Sequence, residues 1–352
     1  MHFRKLLNKL LRAFRITRQP VIRAYDGYGD EDDIVIYGHV LSLSPLERRK
    51  YRQNFLINTF AMIRLFMVRP RRNARVILEW NGETHETTTD KQGFFKFEWK
   101  PLRKPDPGWH TAKLSYVRAR PAAFVVASTS CDVFIPHIYQ YSFISDIDDT
   151  FLISHSGNLL KRLRVLFLKN ARSRVPFEGV VRHYQLLARS GTRIAEHNPF
   201  FYVSSSEWNL YSYIREFCRQ QELPRGVFLL SSMKRLTQLL QTGQGKHATK
   251  YVRIARIMKS YPGQKYVLLG DNTQKDPEIY AAITRDFPGK IYAVYIREIS
   301  RRNSPATKAF MRRITSLGVH CCLFTDSADA IRHSQKIGLI NPASVDVPPG
   351  EL

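Results

Sequence analysis

The sequence predicts an α/β protein in which a doubly wound parallel sheet is preceded by a small β-sandwich-like domain with one inserted helix. Two observations predict this fold class. Residues 29–138 contain many short runs of period two with turn residues between them, which is typical of a small β-sandwich. Residues 139–335 contain short apolar runs that alternate with helical stretches, which is typical of parallel strands covered on both faces. A basic amphipathic segment at 1–28 and a disordered tail at 336–352 complete the predicted domains.

The composition limits the possible partners. Of 352 residues, 55 are Lys or Arg and 30 are Asp or Glu, so the formal net charge is +25. A field of this sign concentrates anions, and nucleic acid, an anionic membrane surface and a phosphorylated substrate all qualify. The four cysteines have no metal-binding spacing, and no apolar run approaches the ~18 residues of a membrane span. We therefore expect a reduced, cytoplasmic protein without a signal peptide.

The N-terminal segment carries seven Lys or Arg within its first 25 residues and no acid. Apolar residues from Phe3 to Phe14 recur at helical spacing and form one stripe opposite the cations. Such a segment either lies in the plane of a membrane, with its cations on anionic lipid, or docks its stripe on the protein's own core. Both interpretations stay open at this point.

The β-domain is expected to begin with a strand at Asp33. A capping box at Ser44–Glu47 then opens a helix that continues through Met67. The pair Asn81-Gly82 separates two alternating runs and predicts a hairpin, because these residues readily adopt the positive φ angles of a two-residue type I′ turn. The strands that follow the helix are expected at 75–80, 83–89, 94–99, 110–117 and 124–127.

Six buried strands are predicted in the α/β domain, each followed by polar residues. Ligands of parallel sheets bind at the carboxyl ends of the strands, so the residues just after each strand are the first candidates for chemistry. The strands are expected at 141–145, 200–203, 226–230, 265–269, 290–296 and 319–324.

Acidic side chains gather where two of these strands end. Asp146 and Asp148 follow the first strand, and because they are two residues apart on an extended segment their side chains point the same way. Asp271 and Asp276 follow the fourth strand. Carboxylates brought together repel unless a cation lies between them, and hard oxygen ligands suit Mg²⁺. The alternative is an acidic loop or a helix cap, which accounts for most Asp-rich turns.

Hydroxyl and cationic side chains complete the pattern. Ser204, Ser205 and Ser206 follow the second strand and are suited to hold a phosphoryl oxygen, although such a run is more often a cap. Lys250 lies on a predicted helix and is suited to neutralise a phosphate or an aspartate, although a helix lysine is usually solvated. Each signal is weak by itself. Their occurrence in one consistent order along the chain favours a phosphate site.

These motifs resemble those of the haloacid-dehalogenase superfamily of Mg²⁺-dependent phosphatases, namely DxDxT, a strand-end Ser, a Lys and GDxxxxD. More narrowly, residues 141–300 resemble the catalytic domain of the phosphatidate phosphatases of the yeast actin-patch type and their bacterial relatives. The most specific strings are YVSSSEWNLY at 202–211 and GDNTQKDPEIY at 270–280. The β-rich segment that contains Thr88–Phe95 is similar to the domain that precedes the catalytic one in bacterial members.

The resemblance implies a role for each matching carboxylate. Asp146 would be the nucleophile that forms an aspartyl-phosphate, and Asp148 would be the general acid and base. Mg²⁺ would be held by Asp146, the backbone carbonyl of Asp148, and Asp271. Asp276 would act through water or by orienting Lys250.

The resemblance also implies contacts to the substrate. Ser204 and Lys250 would fix the transferred phosphoryl group, whose oxygens carry most of the developing charge. The remaining candidates each have a structural alternative, such as shaping a loop, packing beneath the Ser204 loop or pairing with a neighbouring acid. They are Thr150, His155, Ser205, Asn209 and Arg297.

The sequence departs from the family pattern at Glu207, where Pro is usual, and at Asn272–Lys275, where Ser-Gly-Gln-His is usual. We expect Glu207, Asn272 and Lys275 to line the pocket and influence the choice of substrate.

A basic lid is expected at 151–176, between the nucleophile and the second strand. Through Val175 it contains six Lys or Arg and no acid, interleaved with apolar residues. A cationic amphipathic lid suits a lipid phosphate that lies in a bilayer. The alternative is a helix that packs by its apolar face alone.

The expected function is Mg²⁺-dependent hydrolysis of phosphatidate to diacylglycerol and phosphate at an anionic phospholipid membrane, with which the protein would associate peripherally. Two alternatives stay open: the same chemistry on a soluble phosphomonoester, and a non-catalytic membrane-binding adaptor. Nucleic acid is not expected as a partner, because no RRM, KH or helix-turn-helix signature is visible and aromatics are not concentrated in the basic segments. Protein partners and the oligomeric state are not predicted.

Overall fold

The structure is a computed structural model that describes residues 16–17, 19–45, 64–118, 124–137, 141–147, 174–192, 197–233 and 246–341. Their contacts divide the chain into two compact units. The first unit contains the described residues up to Ile135 and short segments that include Glu207–Ser212. The second unit contains the rest, including Pro136–Ser206.

The first unit is built on nine strands that form one sheet. The strand order is β1-β3-β2-β9-β8-β5-β6, and β4 and β7 also pair with β3. The sheet is mixed, because β2 pairs with β3 antiparallel and with β9 in parallel. It curls into a half-barrel, since β6 and β7 contact each other although they lie far apart in the strand order. The strands are β1 (Ile16–Thr17), β2 (Val21–Gly29), β3 (Ile34–Pro45), β4 (Arg69–Pro70), β5 (Arg75–Trp80), β6 (Glu83–Thr88), β7 (Phe94–Trp99), β8 (Gly108–Arg118) and β9 (Phe124–Ile135).

The core of the first unit follows the period-two pattern of its strands. Val76, Leu78 and Trp80 of β5 are buried, whereas the residues between them are more exposed. They belong to one apolar cluster with side chains from the neighbouring strands, such as Phe95 and Leu114. Alternate side chains of a strand point to opposite faces, so one face of the curled sheet forms this core.

The hairpin predicted at Asn81-Gly82 is confirmed. Both residues have positive φ angles, 47° for Asn81 and 82° for Gly82. Trp80 pairs with Glu83 across the two-residue loop.

A separate six-stranded parallel sheet has the order β12-β11-β10-β13-β14-β15. Each strand begins at the predicted residue or one residue after it. Parallel pairing places β10 between β11 and β13, so the carboxyl ends of these three strands meet at one edge of the sheet, called here the carboxyl edge. The strands are β10 (Tyr141–Asp146), β11 (Phe200–Glu207), β12 (Gly226–Ser231), β13 (Lys265–Asp271), β14 (Ile291–Arg297) and β15 (His320–Phe324).

Six α-helices lie within the described residues. Two begin at local signals: a proline follows Asp276 in the first turn of α4, and the Asp326 side chain accepts a hydrogen bond from the Ala328 N–H at the start of α6. In the part of the chain described here, no helix has the length and apolar content needed to cross a bilayer. The helices are α1 (Arg174–Ala188), α2 (Tyr211–Gln220), α3 (Lys246–Ser260), α4 (Asp276–Asp286), α5 (Ser304–Thr315) and α6 (Ser327–Lys336).

The predicted fold class is wrong. The described residues contain more strand than helix, and the larger sheet is the curled mixed sheet of the first unit, so a doubly wound α/β class does not describe this protein. The predicted β-sandwich is wrong as well, because β3 pairs with β1, β2, β4 and β7 and joins the nine strands into one sheet. Short strands of period two fit a sandwich and a curled sheet equally, since both bury one face of each strand.

Several predicted features lie outside the described residues. These are most of the N-terminal amphipathic segment, residues 46–63 of the inserted helix, the lid up to residue 173 and the tail from residue 342. The domain boundaries stay a prediction.

Candidate active site

Asp146 ends β10, the strand at the centre of the candidate site. Phe143 and Ile144 are fully buried, so the strand is anchored in the core, and the Asp146 side chain is fully buried as well. The backbone N–H of Ile147 donates to Asp146 Oδ1 at 2.9 Å. This hydrogen bond stabilises the charged form of the carboxylate and helps to fix its orientation.

The neighbouring strand β13 ends at a second buried carboxylate, Asp271. The backbone N–H and the Oγ1 hydroxyl of Thr273 both donate to Asp271 Oδ1, each at 2.6 Å. Five residues later, Asp276 opens α4 and is also fully buried. The short loop between strand and helix therefore returns a second carboxylate to the same edge, as predicted from the GDxxxxD motif.

Gly270 makes this close return possible. A Cβ atom at position 270 would lie 2.6 Å from Asp276 Oδ2 and 3.0 Å from a ring carbon of Tyr280. No side chain larger than hydrogen therefore fits between β13 and the start of α4 unless Asp276 moves.

Lys250 of α3 is the cation that pairs with two of these carboxylates. Its Nζ lies 3.0 Å from Asp146 Oδ1 and also donates to Asp276, and its side chain is only 4% exposed. Burial raises the pKa of Asp276; the ammonium of Lys250 opposes this rise, and the charge of Asp271 adds to it. One lysine against three aspartates leaves a formal charge of 1 − 3 = −2, which favours a further cation.

The donor set fits a divalent metal ion. One carboxylate oxygen from each of Asp146, Asp271 and Asp276 can be chosen so that the three atoms lie within 4.8 Å of one another. Three buried carboxylates with oxygen donors alone match the preference of hard cations such as Mg²⁺ and Ca²⁺.

The hydroxyl run lies at the end of β11, which pairs with β10. Asp146 is in register with Val203, so Ser204 follows one residue beyond the level of the aspartate. Ser204 is fully buried, and its Oγ accepts a hydrogen bond from the Ser206 N–H at 2.9 Å. Ser205 is 8% exposed. The pairing thus brings the predicted hydroxyl site and the predicted nucleophile to the same edge of the sheet.

Arg253 was not predicted from the sequence as a site residue. Its Nη1 donates to the backbone carbonyl of Ser204 at 3.1 Å, and its Nη2 donates to Ser231 Oγ at 3.2 Å. The guanidinium therefore joins the ends of β11 and β12. Arg253 lies three residues after Lys250 and hence on the same face of α3, a spacing that could have indicated it.

Tyr184 of α1 was not predicted from the sequence either. Its hydroxyl is 2.9 Å from Ser145 Oγ, next to Asp146 in the chain. Burial raises the pKa of Tyr184 well above that of a solvated phenol, and the charges of Asp146 and Asp271 also raise it.

Arg297, which was predicted as a site residue, lies at the end of β14. Its charge lowers the pKa of Tyr184. Burial also lowers the pKa of Arg297 itself, while the charge of Asp271 opposes that change. Arg297 therefore lies within electrostatic range of the carboxylates.

A cavity of about 520 Å³ lies in the second unit. Its lining includes Ser205. It also includes Asn272 and Lys275, two of the three residues that were predicted to line a pocket. The third, Glu207, is not among the described residues that line it. Asn272 is held by the protein: its Oδ1 accepts from the N–H groups of Ile299 and Ser300, each at 2.8 Å. Its amide therefore fixes a loop, whereas the Lys275 side chain is 54% exposed.

The other predicted site residues are distributed differently. Asp148, Thr150 and His155 lie outside the described residues. Asn209 is buried in the first unit, where its Nδ2 donates to the carbonyl of Leu65 at 3.0 Å. A ligand-binding role for these four residues stays a prediction.

Comparisons with known proteins bear on residues 141–298, which match the family model described as the catalytic domain of phosphatidate phosphatase APP1. Phosphatidate phosphatase APP1 of Saccharomyces cerevisiae is 32% identical over 162 residues, which cover 45% of this chain and 26% of that protein. An uncharacterized protein of Schizosaccharomyces pombe is 21% identical over 250 residues, covering 70% of this chain and 39% of that protein. The chain therefore spans well under half the length of these two curated relatives.

Solved structures show a weaker likeness. A carbohydrate acetylesterase from Xanthomonas citri superposes with a TM-score of 0.34 at 8% identity, covering 89% of this chain and 72% of that one. Likeness at this level carries no argument about fold or activity.

Proposed function

Residues 141–298 belong to the family of the phosphatidate phosphatase APP1 catalytic domain, as their motifs predicted, and from this premise we propose that the protein is a Mg²⁺-dependent phosphatidate phosphatase. The observation that carries the proposal is the buried site of Asp146, Asp271, Asp276 and Lys250 at the carboxyl edge, within the residues that match the family. A site of this kind suits a doubly charged phosphomonoester, because a cation and a lysine together offset the charges of carboxylates and phosphate.

Mg²⁺ is the proposed metal because oxygen donors alone surround the site. Asp146, Asp271 and Asp276 would hold it through their carboxylates. When bound, the ion supplies positive charge that offsets the negative charge on the transferred phosphoryl group.

Asp146 is the proposed nucleophile. A carboxylate oxygen of Asp146 attacks phosphorus, the bond from phosphorus to the alcohol oxygen breaks, and an aspartyl-phosphate forms. Water then attacks phosphorus, inorganic phosphate leaves, and the carboxylate is regenerated. Lys250, 3.0 Å from Asp146 Oδ1, fixes the orientation of the carboxylate and offsets charge on the phosphoryl oxygens.

The proton transfers are assigned to Asp148 on the strength of the family motif. Asp148 would give its proton to the departing alcohol oxygen and take one from the attacking water. Ser204 would hold a phosphoryl oxygen at the end of β11, and Arg253 fixes the position of that strand end through the Ser204 carbonyl.

The substrate is proposed to lie in an anionic phospholipid membrane, with which the protein associates peripherally. The relative from Saccharomyces cerevisiae is named for a lipid phosphate, and the net charge of +25 suits such a surface.

The decisive assay is phosphate release from phosphatidate in mixed micelles, with and without Mg²⁺, compared with a soluble phosphomonoester. We expect release from phosphatidate that depends on Mg²⁺ and is lost in Asp146→Asn. Asp286→Asn is the matched control, because Asp286 lies exposed at the far end of α4. No release from phosphatidate would defeat the proposal, and equal rates on both substrates would favour the soluble phosphomonoester.

A further inference from the structure

An exposed basic surface follows β14. Residues 299–325 contain five Lys or Arg and no acid. Arg301 and Arg302 lie in a 3-10 turn that leads into α5, and Lys308 lies on α5 itself. All three side chains are exposed, and none forms an ion pair with a residue in the described ranges.

Hydrogen bonds fix this basic turn to the loop that follows Asp271. Asn272 Oδ1 accepts from the N–H groups of Ile299 and Ser300, and Asn272 Nδ2 donates to the Ser300 carbonyl, all at 2.8 Å. On the other side of the turn, Asn303 Nδ2 donates to the Asn272 carbonyl at 2.6 Å. Four hydrogen bonds to the residue after Asp271 therefore hold the turn at the carboxyl edge.

The cavity described above lies at the same place. Residues of the loop after Asp271, of the 3-10 turn and of α5 line it, including Lys275, Asn303 and Phe310. Lys275 is half exposed, and its partner Glu278 is 3.8 Å away and equally exposed, so the pair is weak. Lys275, Arg301, Arg302 and Lys308 together form what we call the basic rim.

We propose that the basic rim binds the headgroups of anionic phospholipids, so that a bilayer meets the protein at the carboxyl edge. The choice of partner follows from charge. The four cations are exposed, and the weak contact of Lys275 with Glu278 is the one ion pair that they form with the described residues. Each Lys or Arg close to an anionic membrane surface strengthens binding about fivefold. The proposal rests on the proposed function only in taking the substrate to be a lipid; membrane binding itself requires no turnover.

The location of the rim explains why it would serve this chemistry. A membrane bound at the opposite edge of the sheet, near the exposed Lys259 and Lys336 at the ends of α3 and α6, would lie away from Asp146 and Asp271. Binding at the rim instead brings lipid phosphates to the edge where the carboxylates lie.

The test is co-sedimentation of the full chain with phosphatidylcholine vesicles that contain or lack phosphatidylserine. The variant Arg301→Ser with Arg302→Ser is compared with Lys259→Ser with Lys336→Ser, which removes the same charge at the opposite edge. We expect binding to anionic vesicles to fall about tenfold or more in the first variant and less than about twofold in the second. Since the four side chains are exposed, melting temperatures should stay unchanged.

Three results would overturn the proposal. The first is an equal loss in both variants, which would mean that only net charge matters. The second is no loss in the rim variant. The third concerns nucleic acid. If a single-stranded oligonucleotide displaced the wild-type protein from anionic vesicles but did not displace the rim variant, the rim would be assigned to nucleic acid.

Turnover separates this proposal from the proposed function. The rim variant should hydrolyse a short-chain, water-soluble phosphatidate at the wild-type rate, because Arg301 and Arg302 lie on the membrane side of the site. A rim variant that loses this turnover as well would contradict the proposal. A wild-type protein that binds anionic vesicles through the rim yet hydrolyses no phosphatidate would defeat the proposed function alone.

Discussion

Replacing Gly270 with alanine tests how tightly the site is built. The new Cβ would lie 2.6 Å from Asp276 Oδ2 and 3.0 Å from a ring carbon of Tyr280, whereas ordinary contacts begin at 3.4 Å. Relief of the closest contact requires a shift of 3.4 − 2.6 = 0.8 Å by the Asp276 carboxylate. Misplacement of a catalytic group by about 1 Å can cost about a hundredfold in rate. We therefore expect the rate of phosphate release to fall by one to two orders of magnitude in Gly270→Ala.

The same change should lower stability. Overpacking of a buried site lowers the free energy of unfolding by about 1–3 kcal/mol. Replacing glycine restricts the unfolded chain, which offsets about 0.4–1 kcal/mol of this loss. A net loss of about 1–2 kcal/mol corresponds to a fall in melting temperature of roughly 2–8 °C for a unit of this size. When Asp276 is first replaced by alanine, Gly270→Ala should lower the free energy of unfolding by less, because the oxygen that lies 2.6 Å from the new Cβ is gone.

Phosphate release from phosphatidate and thermal unfolding measure the two effects. Gly263→Ala is the matched control, since Gly263 lies two residues before β13 and a Cβ there would meet nothing within 4 Å. Wild-type turnover and melting temperature in Gly270→Ala would show that this contact does not constrain the site. An equal effect of Gly263→Ala would show that backbone stiffening, not the contact with Asp276, is the cause.

Three further changes probe buried and charged side chains of the second unit. Lys250→Met should abolish turnover and lower the free energy of unfolding by about 3–5 kcal/mol in urea titrations, because it leaves buried carboxylates without their cation; a loss as large in exposed Lys259→Met would contradict this. Burial lowers the pKa of His183 from 6.5 to about 3, so the unfolded chain binds a proton more readily and stability should fall as pH drops from 6.5 towards 3. His183→Gln should reduce that slope by up to about 1.4 kcal/mol per pH unit, and an unchanged slope in urea titrations across this range would count against it. Arg253→Ala should lower kcat/KM about tenfold by releasing the Ser204 carbonyl, with partial recovery in Arg253→Lys; wild-type kcat and KM would show that Arg253 does not position this strand end.

The strand-end carboxylates were predictable because local signals determine them. The apolar runs of β10 and β13 end at Asp146 and Asp271, and parallel pairing brings such ends together whatever covers the sheet. The hairpin at Asn81-Gly82 was predictable for a similar reason, since positive φ angles at two adjacent residues restrict the turn to few types.

Features that depend on long-range contacts were not predictable. Whether the strands of the first unit form two sheets or one depends on β3, which pairs on both sides, and strand periodicity is the same in either case. Arg253 acts through a backbone carbonyl 49 residues away, and Tyr184 through Ser145, 39 residues away. The spacing from Lys250 places Arg253 on the same helix face, but no spacing rule links Arg253 to the Ser204 carbonyl or Tyr184 to Ser145.

Asn272, a departure from the family pattern, lines the cavity as predicted. Its side-chain oxygen and nitrogen, however, are hydrogen-bonded to Ile299 and Ser300. Lys275, whose side chain is half exposed, is the better candidate for an influence on substrate choice.

The proposed aspartyl-phosphate mechanism is tested by locating the phosphate during turnover. The enzyme is mixed with labelled phosphatidate and Mg²⁺, quenched in acid, digested, and its peptides are analysed by mass spectrometry. We predict one phosphate on Asp146, released by hydroxylamine and absent from Asp146→Asn. Turnover of phosphatidate without phosphate on Asp146, or with phosphate on Ser204 instead, would contradict it.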